Sequence, residues 1–287
     1  MSPIIEIKGL NVVYAPKSPM ERQALGDLNF SVAEGEFRAI IGSQGSGKST
    51  LLQVMAGLIA GKGTVKIAGL DLSIKKNRTQ LWRQVGVVFQ YPEKQLFEDT
   101  VWHDVAYGPQ NLGLGQTEVN RRVKRALDRV KLEKEYFQVS PFKLSGGQQR
   151  RVAIAGILAM EPKILLLDEP TAGLDPRGRQ QLMNMFSTLC SKEKVTIVLV
   201  THDMEEVACR ADRVTVLQQG KVAMEGTPQE VFNNKEKLEA LGLGVPFASE
   251  LAASLKGKGV SVKEMTTLHE AEREVGRLLK ARGHFSS

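Results

Sequence analysis

Gly42, Ser43, Gln44, Gly45, Ser46, Gly47, Lys48, Ser49 and Thr50 set three glycines beside a lysine and flanking hydroxyls. A glycine, four residues, then Gly-Lys-Ser is the spacing of a phosphate-binding loop. Glycines let successive N–H groups turn inward at phosphate oxygens, and a helix starting near Lys48 adds its positive dipole end. Lys48 would reach the β and γ phosphates, and Ser49 would ligate Mg²⁺. The flanks agree with this, since "FRAII" before the loop reads as a strand and "TLLQVMAGL" after it reads as a helix. A glycine-rich turn that merely joins the two elements is the competing reading.

Asp168 and Glu169 end the buried-looking run "ILLLDEP". Ligands in α/β sheets bind at strand ends, so Asp168 can hold Mg²⁺ through its waters and Glu169 can polarise an attacking water. An acidic helix cap is the alternative there. His202, in "LVTHD", stands at an equivalent edge, where an imidazole could contact a γ-phosphate and keep the water aligned. Taken alone, it would read as structural. Leu144, Ser145, Gly146, Gly147 and Gln148 precede a long apolar-periodic helix, so a hydroxyl, backbone N–H groups and a positive helix end form a second anion site. One nucleotide rarely needs both sites from one chain. Two subunits meeting head to tail, with ATP between Lys48 of one and Ser145 of the other, would use both.

Strands and helices must hold these groups. Residues 1–70 read as short strands broken by turns, and 91–151 as helices separated by "GPQNLGLGQ" and "SPFKLSGGQ". Strands return in "KILLLDE" and "VTIVLVTHD", each a nearly continuous apolar run suited to a parallel strand buried on both faces. Alternation with helices such as "RQQLMNMFSTLC" makes the chain α/β. After Asn234 a polar, helix-like appendage follows, dividing the chain into residues 1–234 and 235–287. Its apolar positions Leu238, Leu241, Leu243, Val245, Phe247, Leu251 and Leu255 recur too densely for a free tail. They would cover either the chain's own core or a partner.

The 287 residues, 42% hydrophobic and 25% charged, suit one large or two ordinary domains. No apolar run reaches about 18 residues and no signal-peptide pattern opens the chain, so a soluble cytosolic protein is expected. Cys190 and Cys209 have no metal-like spacing and read as reduced thiols. A net charge of +7 is compatible with nucleic acid or an anionic membrane, but the basic cluster Arg121–Lys131 has helical apolar spacing and reads as a solvated helix face, with no nucleic-acid partner.

Taken together, "GSQGSGKST", Gln90 in "VVFQYPE", "LSGGQ", "LLLDEP", "GLD" at Gly173–Asp175 and "VTHD" resemble, in order and spacing, an ATP-binding cassette (ABC) ATPase over residues 4–234. The resemblance implies a P-loop NTPase core with an antiparallel β subdomain, an α-helical signature subdomain over about 91–155 and a C-terminal helical extension. It also implies ATP and Mg²⁺ as ligands, Tyr14 stacked on adenine, and catalytic Glu169, His202 and Gln90. Mg²⁺ would be held by Ser49, Gln90 and Asp168, and Asp175 would touch the opposite subunit.

"FQYPEKQLFEDTVWHDVAYGPQNLG" and "EALGLGVPFASELAASL" further resemble the energy-coupling factor transporter ATPases, vitamin and metal importers that include the cobalt and nickel systems. Tyr91 stands where phenylalanine is expected. The "SPMERQAL" insertion and the C-terminal extension look like the second ATPase of the pair. The resemblance implies a sibling ATPase, a membrane coupling protein and a membrane substrate-binding component, with the chain peripheral on the cytoplasmic face of the membrane. A heterodimer is favoured over a homodimer. Glu93, Glu98 and Asp99 could line a groove for basic coupling helices or simply face water. An importer ATPase of another kind and a soluble non-transport ATPase are the rival classes.

Overall fold

The structure is a computed structural model that describes residues 3–281. β1 (Ile5–Tyr14) and β2 (Arg22–Val32) pair antiparallel, and β3 (Phe37–Gly42) runs through the glycine loop into α1 (Lys48–Met55). β4 (Lys62–Ile67) and β5 (Leu70–Asp71) complete an antiparallel sheet of order β2-β1-β4-β5. The short α2 (Lys75–Arg78) leads to β6 (Val85–Val88), followed by the helical unit α3 (Val101–Asn111), α4 (Gln116–Arg129) and α5 (Gly146–Leu158). β7 (Ile164–Asp168), α6 (Pro176–Glu193), β8 (Thr196–Val200), α7 (Met204–Arg210), β9 (Arg213–Gln218) and β10 (Lys221–Gly226) finish a second sheet of order β10-β9-β3-β8-β7-β6. It is parallel except for β10. α8 (Pro228–Phe232), α9 (Lys235–Ala240), α10 (Phe247–Gly257) and α11 (Leu268–Ala281) end the described chain.

The continuous apolar runs become the middle of the parallel sheet. Every residue of β3 and β8 is buried, as are the four apolar residues of β7, because helices or the second sheet cover both faces. The antiparallel sheet packs Ile5, Ile7, Leu10 and Phe30 onto α1 and the near face of the parallel sheet. The other face meets α6 and the helical unit, where Val105, Val123, Leu127 and Ile154 share one cluster with Leu165 and Phe186. Sequence-distant helices are thereby held to the strands that carry the carboxylates.

Arg38 interrupts the apolar run of β3 and is 2% exposed. It donates to Glu36 Oε1 (2.5 Å), Thr215 Oγ1 (2.9 Å), Glu225 Oε1 (2.7 Å) and the Ser31 carbonyl (3.0 Å). A buried guanidinium is tolerated only when so fully bonded. These bonds join β2, β3, β9 and β10, pinning the strand that feeds the loop to both sheets.

The C-terminal segment divides in its packing. Leu238 and Leu243 are buried with Ala39, Val214 and Phe232, against the parallel sheet. α10 and α11 have a small core of their own, built from Ala248, Ala252, Met265 and Ala271 with Leu251 and Val262 packed against it. The sequence reading runs the appendage to residue 287 and the cassette from residue 1; residues 282–287 and 1–2 lie outside the described residues. No described helix is long and apolar enough to cross a membrane.

Candidate functional site

Gly47 caps α1 with φ 105°, and a Cβ there would stand 2.7 Å from Leu25 Cδ2 and 2.9 Å from the Ala24 carbonyl, so only glycine fits. Among the described residues no side chain caps the helix, which leaves its first-turn N–H groups for an external acceptor. The Ser46 hydroxyl, buried in the same loop, also lacks a partner among the described residues. Lys48 Nζ donates to the carbonyls of Gly42 (2.6 Å) and Ser43 (3.0 Å) and so lies curled along the loop. Burial lowers its pKa, opposed by the charges of Glu169 and Asp168.

Tyr14, at the end of β1, is partly exposed over this loop. Its hydroxyl lies 3.3 Å from Thr50 Oγ1 and donates to Gln53 Oε1 at 3.3 Å. A cavity of about 190 Å³ is lined by Tyr14, Arg22, Ala24 and residues 45–50. Arg22 is a lining residue that sequence motifs do not single out. Its only signal is position, within the "SPMERQAL" insertion.

Asp168 and Glu169 emerge at the end of β7 beside β8. Burial raises the Asp168 pKa and the neighbouring Glu169 charge adds to this, against the effect of Lys48. Glu169 has φ 46°, an uncommon left-handed conformation for a glutamate, and its N–H donates to the Val200 carbonyl at 2.9 Å. This turn aims the carboxylate between two partners: Gln90 Nε2 lies 3.4 Å from Oε2, and His202 Nδ1 lies 3.1 Å from Oε1. A carboxylate accepts, so the hydrogen sits on Nδ1 and Nε2 is left as the ring's other contact. A carboxylate steadied in this way can orient a water molecule.

Ser49 lines the loop cavity, Asp168 acts on the Lys48 charge and Gln90 meets Glu169; each bears an oxygen of the hard kind that Mg²⁺ takes. Among the described residues no cluster of three or more His, Cys, Asp or Glu forms an all-protein metal cage. The residues fit a cation that is shared with a phosphate ligand.

Ser145 caps α5 in a capping box: its N–H and hydroxyl donate to Gln148 Oε1 (3.0 and 2.9 Å), and its Oγ accepts from Gln148 N at 3.4 Å. Leu144 is buried beneath, while Ser145, Gly146 and Gly147 are exposed, with open space around both glycines. None of residues 144–148 lines the cavity over the loop. Asp175 is exposed and caps α6, accepting from Gly178 N at 2.6 Å.

Arg150, just past the signature motif, and Glu93 tie these parts together. Arg150 of α5 donates through Nε and Nη2 to the Glu93 carboxylate (2.9 and 3.0 Å) and through Nη1 to the Ala172 carbonyl (2.6 Å). The signature helix, the segment after Gln90 and the turn before Asp175 thus meet at one guanidinium. Glu93 is therefore not an open acid for a coupling helix. The basic cluster of α4 is likewise matched, with Arg121, Arg122, Arg125 and Arg129 paired to Glu118, Glu161 and Glu193.

An anion cradle in one place, with a second exposed helix start on an inserted helical unit, is the layout of an ABC ATPase. The profile of the family described as ABC transporter matches residues 25–172. The "Energy-coupling factor transporter ATP-binding protein EcfA2" of Caldanaerobacter subterraneus subsp. tengcongensis is 48% identical over 279 residues, covering 96% of this chain and 98% of that protein. The protein of the same name from Enterococcus faecalis is 48% identical over 280 residues, covering 96% of each. The solved structure of cbiO1 from Clostridium perfringens, part of the ABC transporter complex cbiONQ, matches with TM-score 0.74 and 35% identity, covering 90% of this chain and 98% of that one. The cassette MJ0796, in a dimeric post-hydrolysis state bound to ADP and Pi, matches with TM-score 0.70 and 31% identity, covering 78% and 98%. The chain belongs to the ABC transporter family and, within it, to the energy-coupling factor transporter ATP-binding proteins.

Proposed function

We propose that ATP lies with its adenine on Tyr14 and its phosphates in the loop from Gly42 to Thr50, and that Glu169 orients the water that attacks the γ-phosphate. Lys48 neutralises β- and γ-phosphate charge, while His202 and Gln90 hold the Glu169 carboxylate and the water in line. Mg²⁺, held by Ser49, Gln90 and Asp168, would supply charge neutralisation at the phosphates. Leu144, Ser145, Gly146, Gly147 and Gln148 serve the site of a second ATPase, whose own signature closes this one, and Asp175 contacts that chain. The observation that carries this reading is the Glu169 carboxylate, set in a left-handed turn between Gln90 and His202.

The chain is the ATP-hydrolysing subunit of an energy-coupling factor type ABC importer. We infer that it pairs with a sibling ATPase as a heterodimer, peripheral on the cytoplasmic face of the membrane. There it powers uptake of vitamins or other micronutrients through a membrane coupling protein and a membrane substrate-binding component. The surface after Gln90 suits coupling helices: Phe97 and Tyr107 meet edge to face at 4.9 Å with both rings exposed, and Asp99, two residues past Phe97, is exposed as well. Residues 235–287, beyond the cassette of 1–234, add contact with the sibling. Purification from membranes with its partners tests the assembly. A small membrane substrate-binder and a second cassette should co-purify, whereas recovery with an extracytoplasmic binding protein would overturn the subtype.

A further inference from the structure

The "SPMERQAL" insertion ends beside the nucleotide cavity. Tyr14 closes β1, Arg22 opens β2, and the two are register partners across the antiparallel pair. Cross-strand partners project from the same face of a sheet, so strand pairing itself brings a cation alongside the aromatic ring. The turn between them is internally bonded: Ser18 Oγ donates to the Ala15 carbonyl (2.8 Å), Glu21 N to the Ser18 carbonyl (3.0 Å) and Lys17 N to Glu21 Oε2 (2.7 Å). Arg22 is therefore delivered by a defined turn.

Its guanidinium reaches the phosphate loop. Nη2 lies 3.5 Å from the Gly45 carbonyl and 3.1 Å from where a Cβ on Gly45 would stand. Arg22 shares the cavity lining with Tyr14, Lys48 and Thr50. It is exposed, and among the described residues its polar contact is that long one to Gly45. A guanidinium poised over a loop of phosphate-facing N–H groups has donors to spare, and its planar fork matches phosphate oxygens.

We propose that Arg22 is a nucleotide-binding residue whose ligand is the α-phosphate, a second cation complementing Lys48 at the β and γ positions. The assignment rests on the nucleotide reading above: with adenine at Tyr14 and the terminal phosphates at Lys48, the stretch between them passes the cavity wall that Arg22 forms. Arg22 thus holds the α-phosphate that every nucleotide carries, while selection for di- and triphosphates rests with Lys48 at the terminal ones.

Calorimetric titration of the full chain with ATP and with ADP tests this in the parent, Arg22→Gln and Arg22→Lys. Because both nucleotides carry the α-phosphate, Arg22→Gln should weaken ATP and ADP alike, each by about tenfold at low salt, the order expected for one lost charge-assisted contact. Arg22→Lys should lose less, and the gap between parent and Arg22→Gln should narrow as salt rises. Unchanged ADP affinity in Arg22→Gln, or a loss indifferent to salt, would overturn the assignment while leaving the nucleotide site standing. A parent chain that bound neither ATP nor ADP would overturn both.

Discussion

His202 Nδ1 lies 3.1 Å from Glu169 Oε1, although the two residues follow different strands of the parallel sheet. The contact exists because β7 and β8 are paired in register, Asp168 opposite Val200, so the residues just past each strand end are neighbours. Replacing Glu169 by glutamine preserves the shape of this contact and removes the carboxylate. Glu169→Gln should therefore keep ATP binding yet slow hydrolysis by roughly 10² to 10⁴ in the assembled complex, the usual contribution of a positioned base. The two ATPases should accumulate as a closed dimer with ATP. Turnover near the parental rate would remove Glu169 from the role proposed.

Tyr14 and Lys48 act at opposite ends of the nucleotide and should separate in kinetics. Tyr14→Ala should raise the ATP concentration needed for half-maximal hydrolysis. Tyr14→Phe, which keeps the ring and loses only the hydroxyl contacts to Thr50 and Gln53, should change it little. Lys48→Ala should abolish turnover at any ATP concentration or weaken binding outright. Identical ATP dependence in Tyr14→Ala and the parent would return Tyr14 to strand packing.

Arg150 is buried, with 6% of its side chain exposed against 19% for Glu93. Removing one member of such a pair leaves a charge without its partner, and Arg150→Ala should destabilise the chain by about 3 kcal/mol in urea unfolding. The same variant should loosen the segment after Gln90 relative to the signature helix. A loss below about 1 kcal/mol would mean the pair is solvated rather than a tie between the two units.

The split packing of the C-terminal segment decides where a truncation can be made. Cutting after Asn234 removes Leu238 and Leu243 from the main core, and buried leucines are worth about 2–5 kcal/mol each when truncated. That chain should be unstable for reasons unrelated to pairing. Ending the chain at Val245 spares both leucines and should leave nucleotide binding intact while weakening association with the sibling ATPase, most of all without ATP. Mass photometry with and without nucleotide reads the outcome, and undiminished pairing would assign α10 and α11 to self-packing alone.

Glu274 links α11 to the preceding segment. The Arg277 guanidinium (2.7 and 2.9 Å) and then the Lys263 N–H (2.9 Å) hold its carboxyl at about 2, below its ordinary 4.5. A folded value below the unfolded one gives stability that is complete above pH 4.5 and is lost as pH falls toward 2. Hydrogen exchange over residues 262–277, corrected for intrinsic rates, should show protection falling through that window in the parent. Glu274→Gln should flatten the fall, and an unaltered profile would show that another group controls it.

Much of the site was legible because phosphate chemistry constrains short stretches. The loop from Gly42 to Thr50 needs consecutive N–H groups and glycine at a left-handed position, and a capped helix start such as Ser145–Gln148 is written within four residues. The α/β class was equally legible, since strands buried on both faces have no polar alternation to offer. Neither reading required knowing which strands are neighbours.

What tertiary structure decided is everything that depends on neighbours far apart in the chain. The sequence marks Glu93 as an acid and Arg150 as part of a helix, and only the docking of α5 beside the Gln90 segment makes them a buried pair. It places Arg22 eight residues after Tyr14, and only the strand register brings both to one cavity. It marks a run of leucines after Asn234, and only packing divides them between two cores. Local chemistry is written in short spacings because backbone geometry acts over a few residues. Pairing and burial are set by the whole chain's contest for apolar contact and satisfied hydrogen bonds, which no short stretch contains.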